Sequence, residues 1–302
     1  MMFRPLYIRV LLLFLRASSS IDALADGFEG IVTYGGKIYP DELPIGGGKG
    51  RKASPYVPSI ASLKDGRLLL VSHRWRDGQF DPVPGAVTYG VTSSDGGRTW
   101  SEPFPLRTAD GGFVDHGYPS LLRLKSGSLG MICFDRFYRS EDEGETWIGP
   151  VPIGLADMGG HVRNDCAIVL KSGRIVAPLY AYQTPAPMAS EIRTRDFSFG
   201  IARYSDDEGT TWHSSDNILI SLIDSGRQGF YMWDEWSVVE LNDDQLLAMG
   251  RTTLGRIFRC ISNDGGKTWG QMKPTDLTAT EGPCILRRIP TTGDLLVIWS
   301  QG

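Results

Sequence analysis

The sequence is poor in the patterns that build metal and redox centres. Its four cysteines, Cys133, Cys166, Cys260 and Cys284, include no Cys-x-x-Cys pair. Neither a zinc knuckle nor a thioredoxin-like site is expected, and buried, unpaired strand thiols are. No second ligand stands at metal spacing from His73 or His213, so no metal and no organic cofactor is expected. Positive charge is not in excess: 31 Lys and Arg against 35 Asp and Glu leave a net charge of −4. With no basic run interleaved with aromatics, nucleic acid is excluded as a partner. No apolar run reaches the about 20 residues that span a membrane. The run Val10 to Leu15 follows Arg4 and Arg9 and precedes Ala23-Leu24-Ala25, so residues 1–25 resemble a secretory leader and residues 26–302 the folded body. A secreted or periplasmic location is expected if that leader is genuine, and a cytoplasmic one otherwise. The glycine run Gly46 to Gly50 holds Lys49 but no following Ser or Thr, and fails as a phosphate loop.

What the chain does have is turns and a repeat. The 37 Gly and 18 Pro in 302 residues point to many short connections rather than long helices. One pattern, Ser-x-Asp-x-Gly-x-Thr-Trp, recurs as Ser93 to Trp100, Ser140 to Trp147, Ser205 to Trp212 and Ser262 to Trp269. Each residue has a task in a tight turn. The carboxylates of Asp95, Asp142, Asp207 and Asp264 can accept backbone N–H groups that the turn leaves unpaired. Gly97, Gly144, Gly209 and Gly266 supply a positive φ, and the tryptophans offer apolar surface to bury between sheets. These acidic turns lack the spread of oxygen ligands of a calcium loop.

Around each box the same meander is legible. In the first copy Tyr56 to Leu63 is a strand, Lys64 to Arg67 a turn, Leu68 to His73 a second strand, and Ala86 to Ser93 leads into the box. The first turn recurs at Lys125 to Ser128, Lys171 to Arg174, Asn242 to Gln245 and Thr291 to Asp294. Four blades and the opening strands of a fifth, Cys284 to Arg288 and Leu295 to Trp299, predict an all-β, radially arranged β-propeller. Ile31 to Tyr39 is placed to supply that fifth blade with an outer strand. As it stands the chain is expected not to close a ring and to leave two apolar sheet faces uncovered.

From Ser54 to Ser300 the sequence resembles the sialidases, whose six-bladed propellers carry these Asp boxes; about four and a half blades are present. The stretch Asp234 to Gly255 looks like the family's Glu, strand, turn, strand, Arg pattern, with Glu235 and Arg251 on its two polar positions. The resemblance implies that Glu235 polarises a tyrosine nucleophile and that Arg251 grips the substrate carboxylate. A sialic acid carries its carboxylate on the anomeric carbon, which is why a neutral phenol serves in the family in place of a carboxylate nucleophile. In the loop Arg74 to Gly85, Asp81 matches the acid/base by its place before the box, although it also suits an Asx turn ahead of Pro82. Glu235 and Arg251 likewise suit an ordinary charge pair at a strand end.

The chain departs from the family at Tyr56-Val57-Pro58, where Val57 stands in place of the first carboxylate-binding Arg. Arg51, Arg74 or Arg76 are left as nearby substitutes, and the third Arg and the Tyr belong beyond Gly302. The closer resemblance is to a bacterial, sialidase-like group with an Asn-Asp pair opening a middle blade, here within His161 to Tyr180, and a Gly-Asp-Leu-Leu stretch in a later one, here Arg288 to Trp299. Arg163, Asn164 and Asp165 are therefore pocket candidates, as are Asp115 and His116. Phe230, Tyr231, Trp233 and Trp236 suit packing between blades or a sugar face. The implied function is that of an exo-α-sialidase-like glycoside hydrolase releasing a terminal sialic acid or related acidic sugar from a glycoconjugate by a retaining mechanism. A carbohydrate-binding propeller without catalysis is the alternative.

Overall fold

The computed structural model describes residues 10–15, 30–34, 53–76, 79–80, 88–115, 117–154, 162, 165–182, 198–222, 230–231, 233–279 and 282–301. Every regular element among them is a strand. Two come from the N-terminal region, β1 (Val10–Leu15) and β2 (Gly30–Tyr34). Sheet I orders β3 (Ala53–Ser62), β4 (Leu68–Arg76), β6 (Thr88–Ser93) and β7 (Phe104–Pro105), with β5 (Gln79–Phe80) paired to β4. Sheet II orders β9 (Pro119–Arg123), β10 (Leu129–Cys133), β11 (Arg136–Ser140) and β12 (Thr146–Pro152), and β8 (Arg107–Thr108) joins its outer edge. Sheet III runs β13 (Ile168–Val169), β14 (Ile175–Tyr182), β15 (Ser198–Ser205) and β16 (His213–Ser214). After the short pair β17 (Ser221–Leu222) and β18 (Phe230–Tyr231), sheet IV follows with β19 (Trp233–Asn242), β20 (Gln245–Thr252), β21 (Arg256–Ser262) and β22 (Lys273–Thr278). Sheet V pairs β23 (Cys284–Arg288) with β24 (Leu295–Ser300).

The sheets follow one another round a common axis as the blades of a propeller, because each buries one apolar face against the next. Leu69, Val71, Leu121, Met131 and Trp147 fill the space between sheets I and II. Leu122, Ile132, Phe137, Ile175 and Leu179 fill the next. Val176, Trp233, Trp236, Ala248 and Trp269 join III to IV, and Val239, Met249, Leu286 and Val297 join IV to V. The four thiols are buried and none forms a disulfide, as expected; Cys133, Cys260 and Cys284 lie in these layers.

Buried serines on the innermost strands lace the sheets together. The N–H of Leu121 donates to Ser59 Oγ at 2.8 Å, that of Ala167 to Ser120 Oγ at 3.1 Å, and that of Leu286 to Ser237 Oγ at 3.0 Å. Each bond satisfies a backbone donor that sheet pairing leaves unused.

The four boxes fold alike on one face of the disc, here called lower. In each, the Asp accepts the N–H of the Thr four residues on at 2.8–2.9 Å and the Thr hydroxyl at 2.5–2.6 Å. The Ser hydroxyl bonds the Asp and accepts the Gly N–H. The Thr is thus a second anchor of the turn. Gly209 shows why glycine is needed: its φ is +91°, and a Cβ would stand 2.1 Å from the Phe137 ring of sheet II. Trp147 and Trp269 are buried between sheets, whereas Trp100 and Trp212 are half-buried.

Sheet V holds a surprise. The outer place foreseen for Ile31 to Tyr39 is taken by β2, but β1 stands between it and β24, in antiparallel register from Val10 opposite Ser300 to Leu15 opposite Leu295. The apolar run that resembles a leader pairs here as the third strand of this sheet.

Candidate functional site

The innermost strands all start on the upper face, opposite the boxes, and each second strand ends there. Two of the innermost strands carry the same irregularity. In β3, Tyr56 pairs with His73 but Ser59 with Val71; in β19, Asp234 pairs with Arg251 but Ser237 with Met249. Both are bulges of one extra residue, a device that re-aims side chains at a strand end. Glu235 lies in the second bulge with φ +43°, a left-handed conformation uncommon outside glycine. Its register equivalent in the first bulge is Val57, so the departure noted in the sequence falls at a matching place in the fold.

Glu235 is buried, and its Oε2 accepts from Arg251 Nη1 at 2.9 Å. The two side chains are 8% and 12% exposed, so the pair is buried away from bulk solvent. Removing either partner of such a buried pair would leave the other uncompensated. The bulge and the end of β20 bring them together across one hairpin, as their spacing implied.

A second acid–guanidinium pair lies on the axis itself. Asp165 opens sheet III, also at positive φ, +53°. Its Oδ2 accepts from Arg287 Nη2 of sheet V at 2.7 Å, and Arg287 bonds its carbonyl oxygen as well. Its Oδ1 accepts from Ser59 of sheet I at 2.5 Å and from Ser120 of sheet II at 3.4 Å. Burial pushes the Asp165 carboxyl up, opposed by the Arg287 charge and the two serine hydroxyls. Burial likewise pushes the adjacent Cys166 thiol up, and that thiol feels the charges of Arg287, Asp165 and Glu235. Both pairs thus belong to one neighbourhood.

Arg287 did not figure among the sequence candidates. Nothing local marks it, since its partner is 122 residues away. Asp115, at the upper rim of sheet II, is half-exposed; Tyr138 donates to its Oδ2 at 2.8 Å and Arg136 forms an ion pair with the same oxygen. Burial pushes the Tyr138 phenol up, with the Asp115 bond acting in the same direction. Trp233 and Trp236 are buried with ring centroids 6.2 Å apart, packing between sheets III and IV. Asp81, Arg51, Arg163, Asn164 and His116 lie outside the described residues, and for Arg74 and Arg76 only the backbone at the end of β4 is described. Among the described residues no group of three or more His, Cys, Asp or Glu could hold a metal, and no helix is long and apolar enough to cross a membrane.

A family model described as the BNR repeat-like domain matches residues 122–291. Among curated proteins, none matches the chain. Solved structures do. A protein of unknown function from Dyadobacter fermentans is similar with a TM-score of 0.59 at 24% identity, covering 81% of this chain and 75% of that one. The NanB sialidase from Streptococcus pneumoniae is similar at 0.56 and 15% identity, covering 86% of this chain. The chain spans only 58% of the NanB chain's length. The intramolecular trans-sialidase from Ruminococcus gnavus gives 0.53 and 16%, covering 80% of this chain and 76% of that one. At these identities the likeness is one of fold: a sialidase-like, all-β propeller.

Proposed function

The chain belongs to the BNR repeat-like domain family, and from that premise we propose that, in the complete parent protein, its upper axial recess binds and hydrolyses the glycosidic bond of a terminal acidic sugar, of the sialic acid class, with the nucleophile supplied from outside these 302 residues. The observation that carries this reading is the buried Glu235–Arg251 pair at 2.9 Å, seated at the upper end of sheet IV. A planar guanidinium matches a carboxylate fork to fork, and a carboxylate beside it suits the removal of a proton from a nucleophile. In this reading Arg251 receives the sugar carboxylate and Glu235 accepts the proton. Asp81 protonates the leaving oxygen and then activates water, and Arg74, Arg76, Arg163 and Asp165 line the approach. Asp115, its Oδ2 held by Tyr138 and Arg136, adds a fixed acceptor for a sugar hydroxyl at the rim. Residues 1–25 export the protein, and the ring to which the sheets belong has six blades.

A second reading, a propeller that binds acidic glycans without cleaving them, is favoured by Val57 at the register position of Glu235. One pair of assays separates the two. A fluorogenic α-sialoside should be hydrolysed by the complete parent protein, with Glu235→Gln lowering kcat by at least about 100-fold while the melting temperature holds. Calorimetric binding of free sialic acid without turnover would leave the binding reading, and neither binding nor turnover would sink both.

A further inference from the structure

Four sheets meet at one carboxylate. Asp165 opens sheet III, Ser59 belongs to sheet I, Ser120 to sheet II and Arg287 to sheet V, and all four side chains converge where the axis passes. The Arg287 guanidinium holds the junction with a charged bond at 2.7 Å to Oδ2 and a further bond to the Asp165 carbonyl, while its Nη1 donates to the Leu286 carbonyl at 2.8 Å. The residue before it, Leu286, donates its N–H to Ser237 Oγ at 3.0 Å, two residues beyond Glu235. Arg287 is therefore tied at one end to the strand that carries Glu235 and at the other to the opening of sheet III. Behind the junction lie Cys166, next in sequence to Asp165, and Cys284, both buried.

We propose that Arg287 is a positioning residue that pins the central channel shut, so that the cavity holding Glu235 and Arg251 is a pocket with a floor and not a tunnel. The geometry suits that task. A guanidinium offers a rigid fork whose donors reach two acceptors at once, and its charge is matched by Asp165, which cannot be left alone in a recess without cost. A closed floor admits the end of a glycan and refuses a strand threaded through the disc. It also holds β23 in register with β19, which fixes the bulge bearing Glu235.

The test needs no substrate and so is independent of the reaction assigned to the pocket. Native protein at neutral pH is treated with N-ethylmaleimide and each cysteine is read by peptide mass spectrometry. In the parent protein all four thiols should resist. In Arg287→Ala, labelling of Cys166 should rise at least about tenfold while Cys133 and Cys260, remote from the axis, stay protected; Arg287→Lys should restore much of the protection, since it keeps the charge. Cys166 as protected in Arg287→Ala as in the parent would overturn the proposal. So would labelling of all four thiols together, which marks general unfolding in place of an opened floor.

Discussion

Glu143, in the second box, accepts the backbone N–H of Lys64, in the first turn of sheet I, at 2.8 Å. Glu208 of the third box does the same for Ser126 of sheet II at 2.7 Å. In the first and fourth boxes the equivalent residue is Gly96 or Gly265, and all four positions have positive φ. A box with Glu there is a clasp on the preceding sheet as well as a turn. Arg123 also bonds Glu143 at 2.7 and 2.9 Å, and this pairing, with the Lys64 bonds, holds its carboxyl at about 2.

The depressed Glu143 carboxyl sets an acid dependence. A group whose folded value lies below its unfolded one gives stability that is whole above the unfolded value, here 4.5, and is lost as pH falls towards about 2. Thermal melts across that window should show Glu143→Gln less stable than the parent at neutral pH, with the gap closing as acid is added. A constant gap would mean that the ionised clasp contributes nothing.

The boxes are expected to give stability and no chemistry. Asp207→Ala removes the acceptor of the Thr211 N–H and hydroxyl, both within 2.8 Å, and should cost about 1–3 kcal/mol in denaturant unfolding. Binding of an acidic sugar should survive wherever the protein remains folded. Normal stability with lost binding would reverse the assignment.

Ile60 on β3 is 49% exposed, on the face of sheet I turned away from sheet II, near the small cluster of Leu70, Val91 and Trp100. Such a face favours association. Light scattering should show concentration-dependent self-association that Ile60→Lys weakens; an unchanged association constant would place the contact elsewhere.

The run Val10 to Leu15 carries two readings, as leader and as the strand joining β24 to β2. A chain beginning at Asp26 should be less stable than the full chain by about 1–3 kcal/mol, because β24 loses its neighbour. Identical melting of the two would show that β1 supports nothing and favour the leader.

What the sequence disclosed follows the range of each interaction. The boxes were legible because Ser, Asp, Gly and Thr bond one another within a few residues, as at Asp95 and Thr99. Glu235 and Arg251 were legible because a single hairpin brings them together. Arg287 was not, because its meeting with Asp165 depends on how sheets III and V stand round the axis. The pairing of β1 was not legible for another reason: six apolar residues in a row carry no periodicity that tells a strand from a leader.

The axial bonds of Asp165 change the kind of object this repeat protein is. Stacked repeats that touch only their neighbours gain stability by adding one unit and one interface at a time, and can unravel from either end. Here one carboxylate bonds three sheets other than its own, and two of them, sheets I and V, are not adjacent to it in the stack. Loosening any of these sheets disturbs the others through that point, so the arrangement behaves as a keyed arch, whose stones loosen together, and not as a row of beads.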